Sequence, residues 1–534
     1  MPPQTAQTQW KRSHTILFLL FVTVLSYLTY MHRYTYPQAP YWDENYYITD
    51  AQREMNHMFY MQIHPPLGKL MIAWGEEIVQ GLSHFTLPGR NQSVPLIYAN
   101  PRTDQFLDTE HADEFPKTFT FAGYRLFPVL LSWLGAPLLF LVFLLITENA
   151  LFAGFLSFLY IFDNALLVHN RGAMLDGPMM FFLILNILAF LLTLKYRDRE
   201  RWKFLLASAF FGMSFALGLT TKFQNLIMIL LVPFILWKLW PAKGMPSKAE
   251  CRRIVDFCWS SFLAFLIFFV GVWQIHFSHM ITINPKLNNN GYYQASESYK
   301  TIIAEGKQGS LLSFPVMLRD SLKYVGEYNK GIPKLDLCKS DENGSPFFLW
   351  PIGATSINYR WETPDGKAFQ YLYLVANPAV WFAGLAAVIF SVVYLLAPVF
   401  YPQQKERSSR ENRYLMLAFA ALYFAYMITM ARLDRVLFLY SYFPPLLFSF
   451  VLLALVVMEL RSLGKWKIVE QQKVIGLGVL CVLIFGFHQF YRPLTYYEPL
   501  TDEQLASREL LPIWQLHCVN CENIGPLVRH RCQQ

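Results

Sequence analysis

The chain of 534 residues is 54% hydrophobic and 17% aromatic but only 15% charged, a balance that excludes an ordinary water-soluble enzyme. Its formal net charge of +8 sits in short basic stretches between apolar runs rather than on one basic face. That distribution excludes a nucleic-acid-binding module.

In chain order, the first apolar run of bilayer-crossing length covers 15–31. It lacks a small-residue cleavage pattern and reads as a retained span rather than a signal peptide. Segment 32–120 follows, with eleven Asp and Glu against six Lys and Arg. It opens with YWDENYYITDAQ, where Asp43 and Glu44 stand side by side among aromatics. Next comes QIHPPLGKLMIAWGEEIVQGL, in which a Pro-Pro stop precedes Leu67, Leu70, Met71, Trp74, Ile78 and Leu82 at helical spacing. This pattern predicts an amphipathic helix over 67–82 lying in the membrane interface, with His64 and Lys69 at its start. A helix that merely packs the loop and one that positions a substrate both fit.

Further runs at 126–146, 150–168, 175–194, 204–220, 223–240, 254–277, 374–398, 414–430, 436–458 and 474–490 bring the total to about eleven predicted spans. With Lys11 and Arg12 on the inner side, the basic connections 195–203, 238–253, 405–413 and 461–473 all fall on that side. Segments 32–120 and 278–373 and the tail from 491 then face outward. No internal repeat or low-complexity linker divides the chain, so 1–490 reads as one membrane unit and 491–534 as an outer tail.

Cys251, Cys258 and Cys481 lie in or beside spans and read as packing residues. The tail places Cys518, Cys521 and Cys532 near His517 and His530. In an oxidising outer compartment a disulfide is favoured over a metal for these three.

Polar groups are costly inside a bilayer and gather where something uses them. Here they gather at outer helix ends: Asp43 and Glu44, Arg125, Asp163 and Asn164, Arg171 and Asp176, Lys222, then Arg432, Asp434 and Arg435. Each one alone also fits an ordinary loop charge. A base to take a hydroxyl proton and cations to receive a developing phosphate charge are both available in this set. No HxxxH or DxD-like pair stands among these candidate site residues, so no metal or other cofactor is expected.

The collinear series of the Asp-Glu pair, HPPLGK, YRLF, FDNALLVHNRGAMLD, LTTKFQN, IHF and LVANPAVW resembles the protein O-mannosyltransferase family from about 40 to 445. The resemblance implies an all-α polytopic GT-C glycosyltransferase fold. It also implies transfer of mannose from a polyprenyl-phosphate carrier to Ser or Thr of exported proteins, with inversion at the sugar carbon. Segment 278–373 is too short for the MIR domain of eukaryotic members, so the chain resembles the smaller bacterial type. Family members often read His-His-Tyr where this chain has Tyr440, Ser441 and Tyr442.

By that resemblance Asp43 is the base, and Glu44 orients the acceptor or shares the proton; repulsion between the two would raise one pKa. Arg125, Lys222, Arg171 and Arg435 are phosphate candidates, and His64, Lys69, Asp163, Asp176 and Tyr442 are substrate contacts. Asp176 equally fits a cap of the fourth span or an ion pair with Arg171. The implied setting is a bilayer, the bacterial inner membrane or the endoplasmic reticulum, with the site on the outer or lumenal face near the export machinery. Two rivals stand beside this reading: a GT-C enzyme moving another lipid-linked sugar, such as aminoarabinose, onto lipid A or a glycan, and a transporter.

Overall fold

The computed structural model describes residues 12–83, 115–116, 119–241, 244–283, 291–339, 342–364, 368–400, 410–463 and 466–516. The cysteine-rich end of the tail and its Cys518, Cys521 and Cys532 lie outside them.

The first span, α1 (Arg12–Tyr30), leads to two helices of the outer segment, α2 (Glu44–Met55) and α3 (Leu67–Ser83). Then come α4 (Leu126–Thr147), α5 (Ala150–Ile161), α6 (Asn164–Asn170), α7 (Asp176–Tyr196) and α8 (Arg201–Thr221). A 3-10 turn over Phe223–Leu230 continues into α9 (Leu231–Leu239), and α10 (Lys248–His279) is 32 residues long. The second outer segment carries α11 (Glu297–Ala304), α12 (Phe314–Lys330) and strands β1 (Ile357–Glu362) and β2 (Phe369–Leu374). Spans α13 (Pro378–Phe400), α14 (Arg410–Ala431), α15 (Phe443–Glu459) and α16 (Glu470–Tyr496) follow.

Among the described residues nine helices are long and apolar enough to cross a bilayer, and a bent pair, α5 with α6, makes a tenth. The shorter apolar stretch Phe223–Leu239 occupies the place of the remaining predicted span. The protein is a multi-pass integral membrane protein. Spans α7 and α15 are apolar all round and buried, so they form the bundle interior. Spans α1, α10, α13 and α16 turn Leu17, Phe262, Val393 and Val482 outward, as helices facing lipid do.

Where spans touch most closely, small residues permit it. A Cβ on Gly212 of α8 would sit 1.8 Å from the carbonyl oxygen of Ser261 in α10. Near the N-terminal ends of the same helices Arg201 holds both oxygens of Asp256 at 2.7 Å.

The expected continuous span at 150–168 is broken. Helices α5 and α6 meet at 62°. At the break Asp163 caps α6 by accepting from the Leu166 amide at 2.8 Å. Asn377 donates to the freed Phe162 carbonyl at 3.0 Å, and Asn164 donates to Thr495 at 2.7 Å. A break at membrane depth is tolerated where the backbone groups find such partners within the protein.

The two outer segments are joined to each other. Phe59 N–H donates to Thr282 C=O at 2.7 Å, and Phe59, Tyr60, Trp273, Phe277, Tyr299, Phe314 and Met317 share one buried cluster. A small antiparallel sheet, absent from the sequence reading, pairs β1 with β2 and β2 with Pro499–Leu500. Trp514 and Leu516 of the tail pack with Tyr371 and Tyr373 of that sheet, so the described part of the tail is continuous with the outer layer.

Candidate active site

Asp43 is the N-cap and Glu44 the first residue of α2, and the two carboxylates enter different surroundings. Glu44 points inward and is fully buried. Its Oε1 accepts from Arg125 Nε and the Ala173 amide, both at 2.7 Å. Its Oε2 accepts from Arg125 Nη2 at 2.7 Å and from the Tyr41 amide at 3.1 Å. Arg125 donates two further N–H groups to the carbonyls of Pro37 and Ala39. These two residues therefore lock the start of α2 against α4. Both oxygens of Glu44 and four of the five Arg125 N–H groups are thus engaged within the protein, where the sequence reading expected acceptor and phosphate contacts.

Asp43 precedes the first turn of α2 and makes no capping bond with its side chain. It is half-buried and lines a cavity of about 1080 Å³. Burial pushes its carboxyl up to about 6, with Asp176 adding to the effect and Lys222 opposing it. The sequence reading looked to Glu44 for this shift. The cause is instead loss of water, because Glu44 is neutralised by Arg125.

Beside Asp43 stands a second ion-pair group. Lys222, at the end of α8, donates to both oxygens of Asp176 at 2.8 Å. His169 Nε2 lies 3.0 Å from Asp176 Oδ2, and His169 Nδ1 lies 2.5 Å from the Tyr359 hydroxyl. The Tyr440 ring stacks on His169 at 4.5 Å, with the Lys222 ammonium 5.5 Å from its centre. Asp176 thus pairs with Lys222 rather than with Arg171, and its side chain makes no cap. Lys222 is nearly buried rather than free at the interface, because a lysine drawn into protein needs a counter-ion.

The cavity wall continues through Tyr47, Asp50, Gln62 and His64. Burial, then Lys222 and Lys69, holds His64 well below the usual histidine range, so its ring is neutral at pH 7. Burial also lowers Lys69 to about 8, with Asp50 and Glu54 pulling the other way. Its ammonium donates to Gln62 and to the His64 carbonyl and lies 3.7 Å from Asp50. Lys69 therefore shapes the HPPLGK turn. Farther along α2, Glu54 accepts from His276 at 2.5 Å, His279 at 3.1 Å and Tyr60 at 2.8 Å, joining the outer segment to the end of α10.

Arg435 adjoins His64 and Tyr440 electrostatically. Its Nη1 donates to Asn329 at 2.6 Å, and its Nε is buried without an acceptor among the described residues. Other expected contacts lie elsewhere. Arg171 donates to the carbonyls of Thr495 and His32 and covers the Tyr496 ring, joining α16 to the end of α1. Asp163 is held by Leu166 and Trp381, and the Tyr442 hydroxyl meets Tyr423 at 3.0 Å beside Trp381. These three are fixed in the bundle, away from the cavity wall.

The sequence reading passed over Tyr440, His169 and Tyr359 as site residues. His169 stood inside a quoted motif, whereas Tyr359 lies on a strand no motif marked. Cys338 was also missed. It is disulfide-bonded, while Cys251, Cys258 and Cys481 are free. Among the described residues no group of three or more His, Cys, Asp or Glu is arranged to hold a metal ion.

Family models decide the assignment. Residues 20–281 match dolichyl-phosphate-mannose-protein mannosyltransferase, and residues 327–514 match the C-terminal four-transmembrane region of protein O-mannosyltransferase. The chain belongs to the protein O-mannosyltransferase family. Drosophila melanogaster protein O-mannosyl-transferase 2 is 26% identical over 310 residues, 55% of this chain and 36% of the relative. Schizosaccharomyces pombe dolichyl-phosphate-mannose–protein mannosyltransferase 1 is 24% identical over 269 residues, 49% of this chain and 28% of the relative. The matched region thus spans about a third of the length of these curated relatives. The Saccharomyces cerevisiae protein O-mannosyltransferase Pmt1–Pmt2 complex bound to the sugar donor superposes with a TM-score of 0.72 at 14% identity, over 97% of this chain and 95% of that one. An Archaeoglobus fulgidus oligosaccharyltransferase gives 0.50 at 12% identity, over 94% and 59%. These likenesses establish the GT-C fold.

Proposed function

We propose that this family member transfers mannose from a polyprenyl-phosphate donor to Ser or Thr hydroxyls of polypeptides, with inversion at the anomeric carbon. The observation that carries the proposal is Asp43, a carboxylate at a cavity whose side chain makes no capping bond, within electrostatic reach of Lys222, with Arg435 next to His64 and Tyr440 of the same region. Asp43 takes the hydroxyl proton as the oxygen attacks the sugar. The bond from the anomeric carbon to the phosphate oxygen breaks, and the departing lipid phosphate gains charge. Arg435, with an N–H lacking an acceptor, receives that phosphate. Lys222, two of whose three N–H groups serve Asp176, adds positive field beside it. One displacement by one base gives inversion, with no covalent sugar-enzyme intermediate.

The outer face of a bacterial inner membrane, or the lumenal face of the endoplasmic reticulum, is the proposed setting. The disulfide at Cys338 supports an oxidising compartment for segment 278–373. Against a transporter, the charges stand at helix ends on one side rather than at mid-membrane in two repeated halves.

Purified protein given radiolabelled polyprenyl-phosphate-mannose and a Ser/Thr peptide tests the reading. Label passes to the peptide with inverted configuration, and Asp43→Asn lowers the rate roughly 10²–10⁴-fold. Label reaching only a lipid acceptor, or product with retained configuration, refutes it.

A further inference from the structure

The wall of the cavity opposite Asp43 comes from the second outer segment. On α2 the lining residues are Asp43, Tyr46, Tyr47, Asp50 and Arg53; on α12 they are Asp320, Lys323, Tyr324, Glu327 and Tyr328. Both sets follow helical spacing, so two stripes of like composition, tyrosines interleaved with charges, face one cleft. Both stripes are anchored through one shared cluster, which Phe59 and Tyr60 join just beyond α2. Phe314 and Met317 of α12 pack into the cluster around Trp273 and Phe277, which leaves the C-terminal half of the helix along the cleft. Its Tyr324 and Tyr328 rings lie 6.2 Å apart, and Tyr328 is 40% exposed. Lys323 makes no ion pair among the described residues.

We infer that the α12 stripe, centred on Tyr324 and Tyr328, is the wall that holds the acceptor polypeptide with its hydroxyl turned to Asp43. This inference rests on the proposed mannosyl transfer. A polypeptide is the occupant because the cleft is lined by charges of both signs and by ring hydroxyls, which an isoprenoid tail would have to strip of water without return. A peptide supplies main-chain donors and acceptors to those groups and apolar side chains to the rings. The stripe also belongs to an extramembrane helix, on the side from which a chain in water arrives. Tyr324 and Tyr328 are therefore residues that set acceptor affinity and register, not catalytic residues.

The purified full chain tests this in two ways. In the double variant Tyr324→Ala, Tyr328→Ala, KM for a Ser/Thr peptide rises about tenfold, while donor KM at saturating peptide stays within about twofold and the thermal inactivation temperature is retained. A peptide carrying a photoreactive phenylalanine analogue next to its Ser labels α12 of the wild-type protein. An unchanged peptide KM, a rise in donor KM instead, or label confined to segments other than α12 overturns the inference. Those outcomes are distinct from failure of the mannosyl-transfer reading, in which wild-type protein moves no mannose to peptide at all.

Discussion

The proposed base, Asp43, has lost much of its water. Its carboxyl is raised to about 6, chiefly by burial, and a base works only when deprotonated. Peptide kcat/KM therefore rises about tenfold per pH unit below 6 and levels off above it. A profile flat from pH 5 to 8 at constant protein stability would remove Asp43 from that role. Glu44, one residue on, behaves in the opposite way because Arg125 and two amides saturate it. Replacing Arg125 by Ala leaves a buried carboxylate unpaired, at a cost of about 3–5 kcal/mol. We expect that variant to show a lowered unfolding temperature in detergent, whereas Arg435→Ala keeps its stability and raises donor KM. The motifs made Asp43, Glu44 and Arg125 visible as charges, and Arg435 showed as one at a helix end. Which ones stay available depends on partners 81 or more residues away, and no local pattern encodes such partners.

Among the elements, the broken span and the tight pair of spans teach different things. Apolar content over 150–168 predicts one helix, and the chain instead turns at Asp163. The partners that make the turn affordable, Asn377 and Trp381, come from the start of α13. That turn sets α6 across the bundle and brings His169 to Asp176. The contact of α8 with α10 depends on Gly212. Because a Cβ there would lie 1.8 Å from a backbone oxygen, Gly212→Ala must push the helices apart and cost about 1–3 kcal/mol. Its check is a lower thermal inactivation temperature at near-normal kcat. Helix α3 fell where amphipathic spacing placed it, over Leu67–Ser83. Leu67 and Leu70 are buried with Phe182 and Val272, so part of its apolar face meets protein.

At the scale of the whole molecule, the basic connections lead us to expect segments 32–120 and 278–373 on one side of the bilayer. A membrane-impermeant thiol reagent applied to intact cells should label Lys307→Cys, on an exposed outer turn, and spare the native Cys251 at the inner start of α10. Labelling of Cys251 alone would invert the topology. The span pattern was readable because burial in lipid acts on every residue of a helix at once, so composition alone records it. The motifs likewise brought Asp43 and Lys222 to notice as candidates from short local strings, whereas Arg435 stood out only as a charge at a helix end. Tertiary structure decided the rest: that Glu44 and Arg125 neutralise each other, that Lys222 belongs to Asp176, that Tyr440 rather than Tyr442 adjoins the charges, and that α12 faces α2 across the cleft. Those outcomes rest on pairings between distant parts of the chain, where the energy depends on a few ångströms of separation and on the exclusion of water, quantities that exist only once the bundle has closed.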